Sequence, residues 1–168
     1  MNYYLINQDR RASQVVLPVL NNQQDLWNSD KPIFIPGRVK DVNLYSYFLP
    51  FIETPVLMIS DPLKKILELY QNKTAYRPCA LGIIEAKKLQ VYWFMQPKII
   101  KCLKSDIQDN VIYSAEDIIL DTQKIGANKV FQLDTVVGTY FIIDQEVLEH
   151  MLRAGITEIC MTELKTMG

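Results

Sequence analysis

Ala80-Leu-Gly-Ile-Ile84-Glu-Ala-Lys-Lys88-Leu89-Gln-Val-Tyr-Trp-Phe-Met95 is the stretch whose reading decides the fold. Two long apolar runs flank the short polar link Glu85-Ala-Lys-Lys88, a pattern that predicts a β-hairpin. In the second run Val91, Trp93 and Met95 point one way, and Tyr92 and Phe94 the other. Both faces are apolar, so this strand is expected inside a sheet covered on both sides, with Trp93 largely buried.

Working outward toward the N-terminus, Pro55-Val-Leu-Met-Ile59 is a buried-strand pattern that runs into a helix. Ser60 or Asp61 can cap it, Pro62 suits its first turn, and Leu63, Ile66, Leu67 and Tyr70 repeat at helical spacing, which predicts a helix over 61–71. Tyr3 to Ile6 and Gln14 to Leu20 read as strands, the second closed by Asn21-Asn-Gln-Gln24. Asn21 to Lys31 reads as a long surface loop, Ile33 to Ile35 as a short strand ended by Pro36-Gly37, and Tyr45 to Phe51 as an aromatic stretch interrupted by Pro50.

Toward the C-terminus, Ile118 to Leu120, Lys129 to Leu133 and Thr139 to Ile143 are further strands, the last two joined through Asp134 and Gly138. Asp144 caps a second helix over 144–154, with Glu146 in its first turn, Arg153 in its last, and Gly155 just past its end. Ile156 to Met161 reads as a final strand. Strands dominate and neighbours are hairpin-linked. The expected class is α+β, one domain over residues 1–168, with a mainly antiparallel sheet and two principal helices packed on it.

The chain has 168 residues, 49% of them hydrophobic and 22% charged, which is an ordinary globular composition. Its net charge of −1 lacks the basic excess that gives a non-specific nucleic-acid binder its affinity. No run approaches the roughly 20 apolar residues that span a bilayer, and the N-terminus lacks the longer apolar core of a signal peptide. Cys79, Cys102 and Cys160 are an odd number and far apart, unlike a disulfide scaffold or a zinc site. The expectation is a cytoplasmic protein with no metal, no cofactor, and neither nucleic acid nor membrane as partner.

Few residues invite chemistry. His150, the only histidine, falls at the edge of the second helix's buried stripe and reads as structural rather than catalytic. Ile83-Ile-Glu85-Ala-Lys87 resembles the metal-binding half of a restriction-type nuclease core, with Asp61 as the nearest upstream aspartate; the plainer reading is a solvated hairpin turn. Lys98, Lys101 and Lys104 form a three-residue repeat that could meet phosphate, followed by the cancelling acids Asp106, Asp109, Glu116 and Asp117. No glycine-rich phosphate loop is present, and Arg10-Arg-Ala-Ser13 is too short a kinase-site pattern to carry weight. Trp27 in a polar loop, Tyr45 and Tyr47 beside turns, and Arg38 and Asp41 between them are the candidate partner-binding residues. Tryptophan, tyrosine and arginine are the types that most often dominate protein interfaces. The alternative for the aromatics is packing over the sheet edge.

Glu53-Thr-Pro-Val-Leu-Met-Ile-Ser-Asp-Pro-Leu-Lys-Lys-Ile-Leu-Glu-Leu-Tyr70, followed by Tyr76-Arg-Pro-Cys-Ala-Leu81, forms a strand–Ser-Asp–helix–strand signature. Tyr140-Phe-Ile-Ile-Asp-Gln-Glu-Val-Leu-Glu-His-Met-Leu-Arg-Ala-Gly-Ile-Thr-Glu-Ile159 forms a strand–helix–Gly–strand ending, with Ile100–Leu103 and Ile118–Ile125 in order between them. Together these resemble the immunity proteins of bacterial polymorphic-toxin systems, the DUF1629-type family. The resemblance implies a cytoplasmic protein that binds a cognate toxin and occludes it without catalysis. It transfers no catalytic and no toxin-contact residues. The rival expectations are a metal-dependent nuclease built on Glu85 and Lys87, and a small-molecule or assembly module on the same fold.

Overall fold

The computed structural model describes residues 1–20, 26–28, 30–71, 73–104, 114–135 and 138–168. The amide run Asn21–Gln24 and the acids Asp106 and Asp109 lie outside the described residues.

The chain is mostly strand, arranged as two six-stranded sheets rather than the single sheet expected. Sheet one contains β1 (Tyr3–Gln8), β8 (Ile99–Ile100), β9 (Ile119–Asp121), β10 (Val130–Leu133), β11 (Phe141–Asp144) and β12 (Ile159–Met167), in the order β8-β10-β11-β1-β12-β9. Sheet two contains β2 (Leu17–Pro18), β3 (Ile33–Arg38), β4 (Phe51–Ile52), β5 (Met58–Ser60), β6 (Ala75–Ile83) and β7 (Lys88–Gln96), in the order β2-β3-β6-β7-β5-β4. Among the described residues three α-helices, α1 (Asp61–Leu67), α2 (Thr122–Ile125) and α3 (Gln145–Arg153), and a 3-10 turn over Ala115–Asp117 complete the fold. Pairing is mainly antiparallel, as expected. The parallel pairs are β10 with β8, β12 with β9 and β3 with β6.

Each sheet curls back on itself and encloses its own core. In sheet one the bridge Leu103–Leu120 ties the chain beyond β8 to β9, with Asp121 N–H donating to Cys102 O at 2.8 Å. In sheet two the bridge Val15–Tyr47 ties the chain just ahead of β2 to the chain ahead of β4. The alternation of apolar residues explains why the sheets then stack. Along β1, Tyr3 and Leu5 enter the core enclosed by sheet one, while Tyr4 and Ile6 face a second core shared with sheet two. Along β11, Ile142 turns inward and Phe141 and Ile143 turn to the shared core. A strand with two apolar faces must be covered twice, and here its own curled sheet covers one face and the neighbouring sheet the other.

The two helices expected on the face of a single sheet, α1 and α3, instead lie together in this core between the two sheets. Leu63, Ile66 and Leu67 of α1 and Val147, Leu148 and Met151 of α3 are buried in it together. The Ser60 side chain caps α1 with Pro62 in its first turn, as read, but the helix stops at Leu67 rather than Gln71. Leu69 and Tyr70 N–H donate to the carbonyls three residues back, Ile66 and Leu67, so the last turn tightens out of α geometry. Asp144 Oδ1 caps α3 by accepting from Val147 N–H at 2.9 Å. Gly155 (φ +81°) ends it in the left-handed conformation, and Ile156 N–H reaches back to Met151 O at 3.0 Å.

Two strand boundaries differ for local reasons. Pro36-Gly37 does not end β3: Gly37 leaves room for Val16, whose Cγ1 would lie 2.5 Å from an added Cβ, so the strand runs on to Arg38 beside β2. The final strand begins at Ile159 and not Ile156, because Ile156 belongs to the cap of α3, and it continues to Met167 by pairing with β1 and β9.

Among the described residues no helix is long and apolar enough to cross a membrane. The three cysteines are free thiols, and burial pushes those of Cys79 and Cys102 up to about 12, so both are inert core residues.

Candidate functional site

The hairpin read from Ala80 to Met95 is β6 and β7, paired in register from Ala75–Gln96 to Ile83–Lys88. As expected, β7 is interior, between β6 and β5. Tyr92 and Phe94 are fully buried on its inner face, and Tyr92 Oη donates to Leu49 O at 2.6 Å. The outer face departs from expectation. At its helix end Met95 is 3% exposed, but Trp93 is only half-buried. The Trp93 indole N–H donates to Asp61 Oδ1 at 3.0 Å, and Lys64 Nζ stands 4.4 Å from the ring centroid. Toward the turn the cover ends: Val91 is 49% exposed and Leu89 64%.

These open side chains are neighbours. Gly82, paired with Leu89, has no side chain, and an added Cβ would lie 2.9 Å from Leu89 Cδ1 and 3.0 Å from Phe34 Cε2. Leu89 and Phe34 therefore fold toward each other across the glycine. Pro36 beside Gly82, Ala80 beside Val91, and the exposed Leu17 and Val19 next to β3 extend an apolar surface across β2, β3, β6 and β7. A depression of about 560 Å³, floored by Pro78, Ala80 and Val91, opens at its far end.

Four of the five predicted contact residues collect at the hairpin end of sheet two. Arg38 closes β3 and is exposed beside Leu17. Asp41 is an exposed turn residue whose Oδ1 accepts from Asn43 N–H at 2.9 Å, and its own N–H donates to Gln14 Oε1. Tyr47 N–H donates to Gln14 O, and the Tyr45 and Tyr47 rings meet edge to face with centroids 5.0 Å apart. Tyr45 is 73% exposed, with Lys88 Nζ 5.6 Å from its ring centroid. Trp27 is elsewhere. Its carbonyl accepts from Arg77 Nη1 at 2.9 Å, six residues down β6 from Ile83 and so roughly 20 Å from the hairpin end. It is half-buried against the core inside sheet two, the position of a lid over the sheet.

Sequence reasoning missed Phe34, Leu89 and Val91 as surface residues. Nothing in a doubly apolar strand says where its cover stops. Gly82 is the one local signal, since a glycine in a strand marks a place where other groups approach closely.

The chemistry-bearing candidates do not assemble. Glu85 and Lys87 are exposed in the hairpin turn, where Lys87 has φ +51°. Asp61 adjoins Ser60, which pairs with Tyr92, at least four residues from the turn and roughly 13 Å away. Asp61 is instead committed to Lys65 and Trp93, whose hydrogen bonds hold its carboxyl below the ordinary range. His150 Nδ1 lies 3.0 Å from Tyr70 Oη, joining α3 to the turn after α1. The lysine repeat is split, since Lys101 pairs with Asp134 at 3.4 Å while Lys98 turns to Asn128. Among the described residues no group of three or more His, Cys, Asp or Glu could hold a metal ion.

Compared with known proteins, the chain matches no family model, no curated protein sequence and no solved structure.

Proposed function

We propose that this chain is an immunity protein that captures a cognate bacterial toxin in the cytoplasm with the hairpin end of sheet two. It neutralises the toxin by covering its active site or substrate path and performs no catalysis. The observation that carries the reading is the open apolar surface around Phe34, Leu89 and Val91. Contiguous exposed apolar patches on a sheet face mark interaction surfaces, because leaving them in water forgoes the free energy that burial supplies. The resemblance to polymorphic-toxin immunity proteins supplies the class of partner.

Charge adds direction. Arg38, Lys40, Lys87 and Lys88 border this end against Asp41 and Glu85, a local basic excess in a chain whose net charge is −1. An acidic toxin surface is the complementary one, and the match speeds encounter and sets orientation more than it adds affinity.

The test is binding to the toxin encoded beside this gene, by calorimetry, with the Leu89→Thr/Val91→Thr double variant. Threonine keeps the strand preference while removing apolar contact. Affinity should fall roughly thirtyfold or more, as at interface hot spots. Folding stability should change by less than about 0.5 kcal/mol per site. Unaltered affinity in the variant overturns this face, and absence of binding by the wild type overturns the toxin reading itself.

A further inference from the structure

Three lysines from three separate parts of the chain line one cavity of about 240 Å³ at the junction of the sheets. Lys73 comes from the connection between α1 and β6, Lys98 from the connection between β7 and β8, and Lys129 from the approach to β10. The described lining residues include no carboxylate. In a chain of net charge −1, that is a local concentration of positive charge in a concave site, where low-dielectric walls focus the field.

Two of the ammonium groups are already held in place. Lys98 Nζ donates to Asn128 Oδ1 at 3.0 Å. Lys129 bonds Glu146, in the first turn of α3, and lies 5.5 Å from the centroid of the Tyr70 ring. Among the described residues Lys73 has no ion-pair partner. The wall is ordered by neutral bonds: Gln71 Nε2 donates to Val130 O at 2.6 Å, and Thr74 Oγ1 donates to Gln71 Oε1. The Lys98 and Lys129 ammonium groups each keep N–H donors beyond the one bond described, because lysine carries three.

We propose that this cavity binds a phosphate group, either inorganic phosphate or the terminal phosphate of a small phosphomonoester. Lys73 and Lys98 meet its oxygens, and Lys129 contributes further charge. A dianion suits the site better than a carboxylate, because two ammonium groups beyond the one offset by Glu146 match a charge near −2. Lysine also acts as a point charge toward phosphate without needing a planar partner. The bound group would join the segment leading into β6 of sheet two to the segment leading into β10 of sheet one. Its occupancy should therefore stabilise the whole fold in proportion to ligand concentration. The inference is independent of the toxin reading.

The experiment titrates the full chain with inorganic phosphate, and separately with adenosine monophosphate, at constant ionic strength set by chloride. Both the thermal midpoint and the backbone amide shifts are followed. A saturable rise in midpoint is expected, with shifts centred on Gln71, Thr74 and Ala127 to Val130. Lys73→Gln/Lys98→Gln should weaken the response about tenfold or more, since each lost bond to a charged group is worth that order of affinity. Lys101→Gln, an exposed lysine outside the cavity, should leave it unchanged. Tighter binding of the nucleotide than of phosphate identifies a phosphomonoester as the ligand, and equal binding identifies the free anion. A midpoint that moves as much with chloride, or an unchanged response in the double variant, overturns the site.

Discussion

Leu89 and Val91 share the outer face of β7 with Trp93 and Met95, residues of similar character on one strand, yet the two halves have opposite surroundings. Met95 lies in the core that α1 and α3 fill between the sheets, and Trp93 packs at its margin. Leu89 and Val91 lie past the reach of that core and face solvent. Nothing in the strand itself separates them. The helices end where they end because Ser60 and Asp144 cap them at fixed points and because α1 tightens out of α geometry after Leu67. Cover on a sheet is thus set by the length and seating of what packs on it. A stretch of sequence written for burial on both faces can leave part of one face as a binding surface.

The largest effect that would test this contrast is at Met95. Met95→Ala should cost about 2–5 kcal/mol in urea unfolding, because it opens a cavity in the shared core. Val91→Ala, on the same face, should cost less than about 0.5 kcal/mol. A comparable loss at both positions would mean that Val91 is covered and would remove the proposed binding face.

A smaller effect marks the boundary between the halves. Trp93→Phe keeps an aromatic ring but removes the pyrrole half of the indole with its N–H donor to Asp61, and should destabilise by at least about 1 kcal/mol. Combined with Asp61→Ala, which removes the acceptor, the losses should be less than additive, since both changes act on one bond. Full additivity would show that the bond at the margin contributes nothing.

The smallest concerns the cap of α3. Asp144 is fully buried, its Oδ2 has no hydrogen-bond partner, and burial raises its carboxyl above the ordinary range. A carboxyl that holds its proton more tightly in the folded than the unfolded state contributes stability at acid pH. That stability is lost as pH rises through the folded value. Asp144→Asn retains a capping acceptor without the charge. The variant should therefore gain on the wild type, by under about 1 kcal/mol, as pH is raised from acid to neutral. A difference between the two thermal midpoints that stays constant with pH would contradict the raised value.

Much of the local structure is legible without coordinates. The hairpin, the Ser60 and Asp144 caps, the glycine stop at Gly155 and the alternation along β1 and β11 follow from rules that act within a few residues. Helix α1 came out shorter than its apolar period, because periodicity says which face is buried but not where backbone bonding tightens. The exposure of Tyr45 and Tyr47 could be read from residue type, since large aromatics beside turns have few ways to be buried locally. Phe34, Leu89 and Val91 could not, because their sequence signature is that of a core strand.

By itself the sequence determined most of the strand segments, though not β8 or the first half of β6, where α1 and α3 begin, and that both faces of the central strands demand cover. Only the tertiary structure decided that the strands divide into two sheets, that β1 pairs with β11 and β12 from the far end of the chain, and that Lys73, Lys98 and Lys129 share one cavity. The reason is one of range. Caps, turns and alternation are settled by interactions among neighbours, whereas pairing between distant segments depends on the sum of many weak contacts that no single stretch contains.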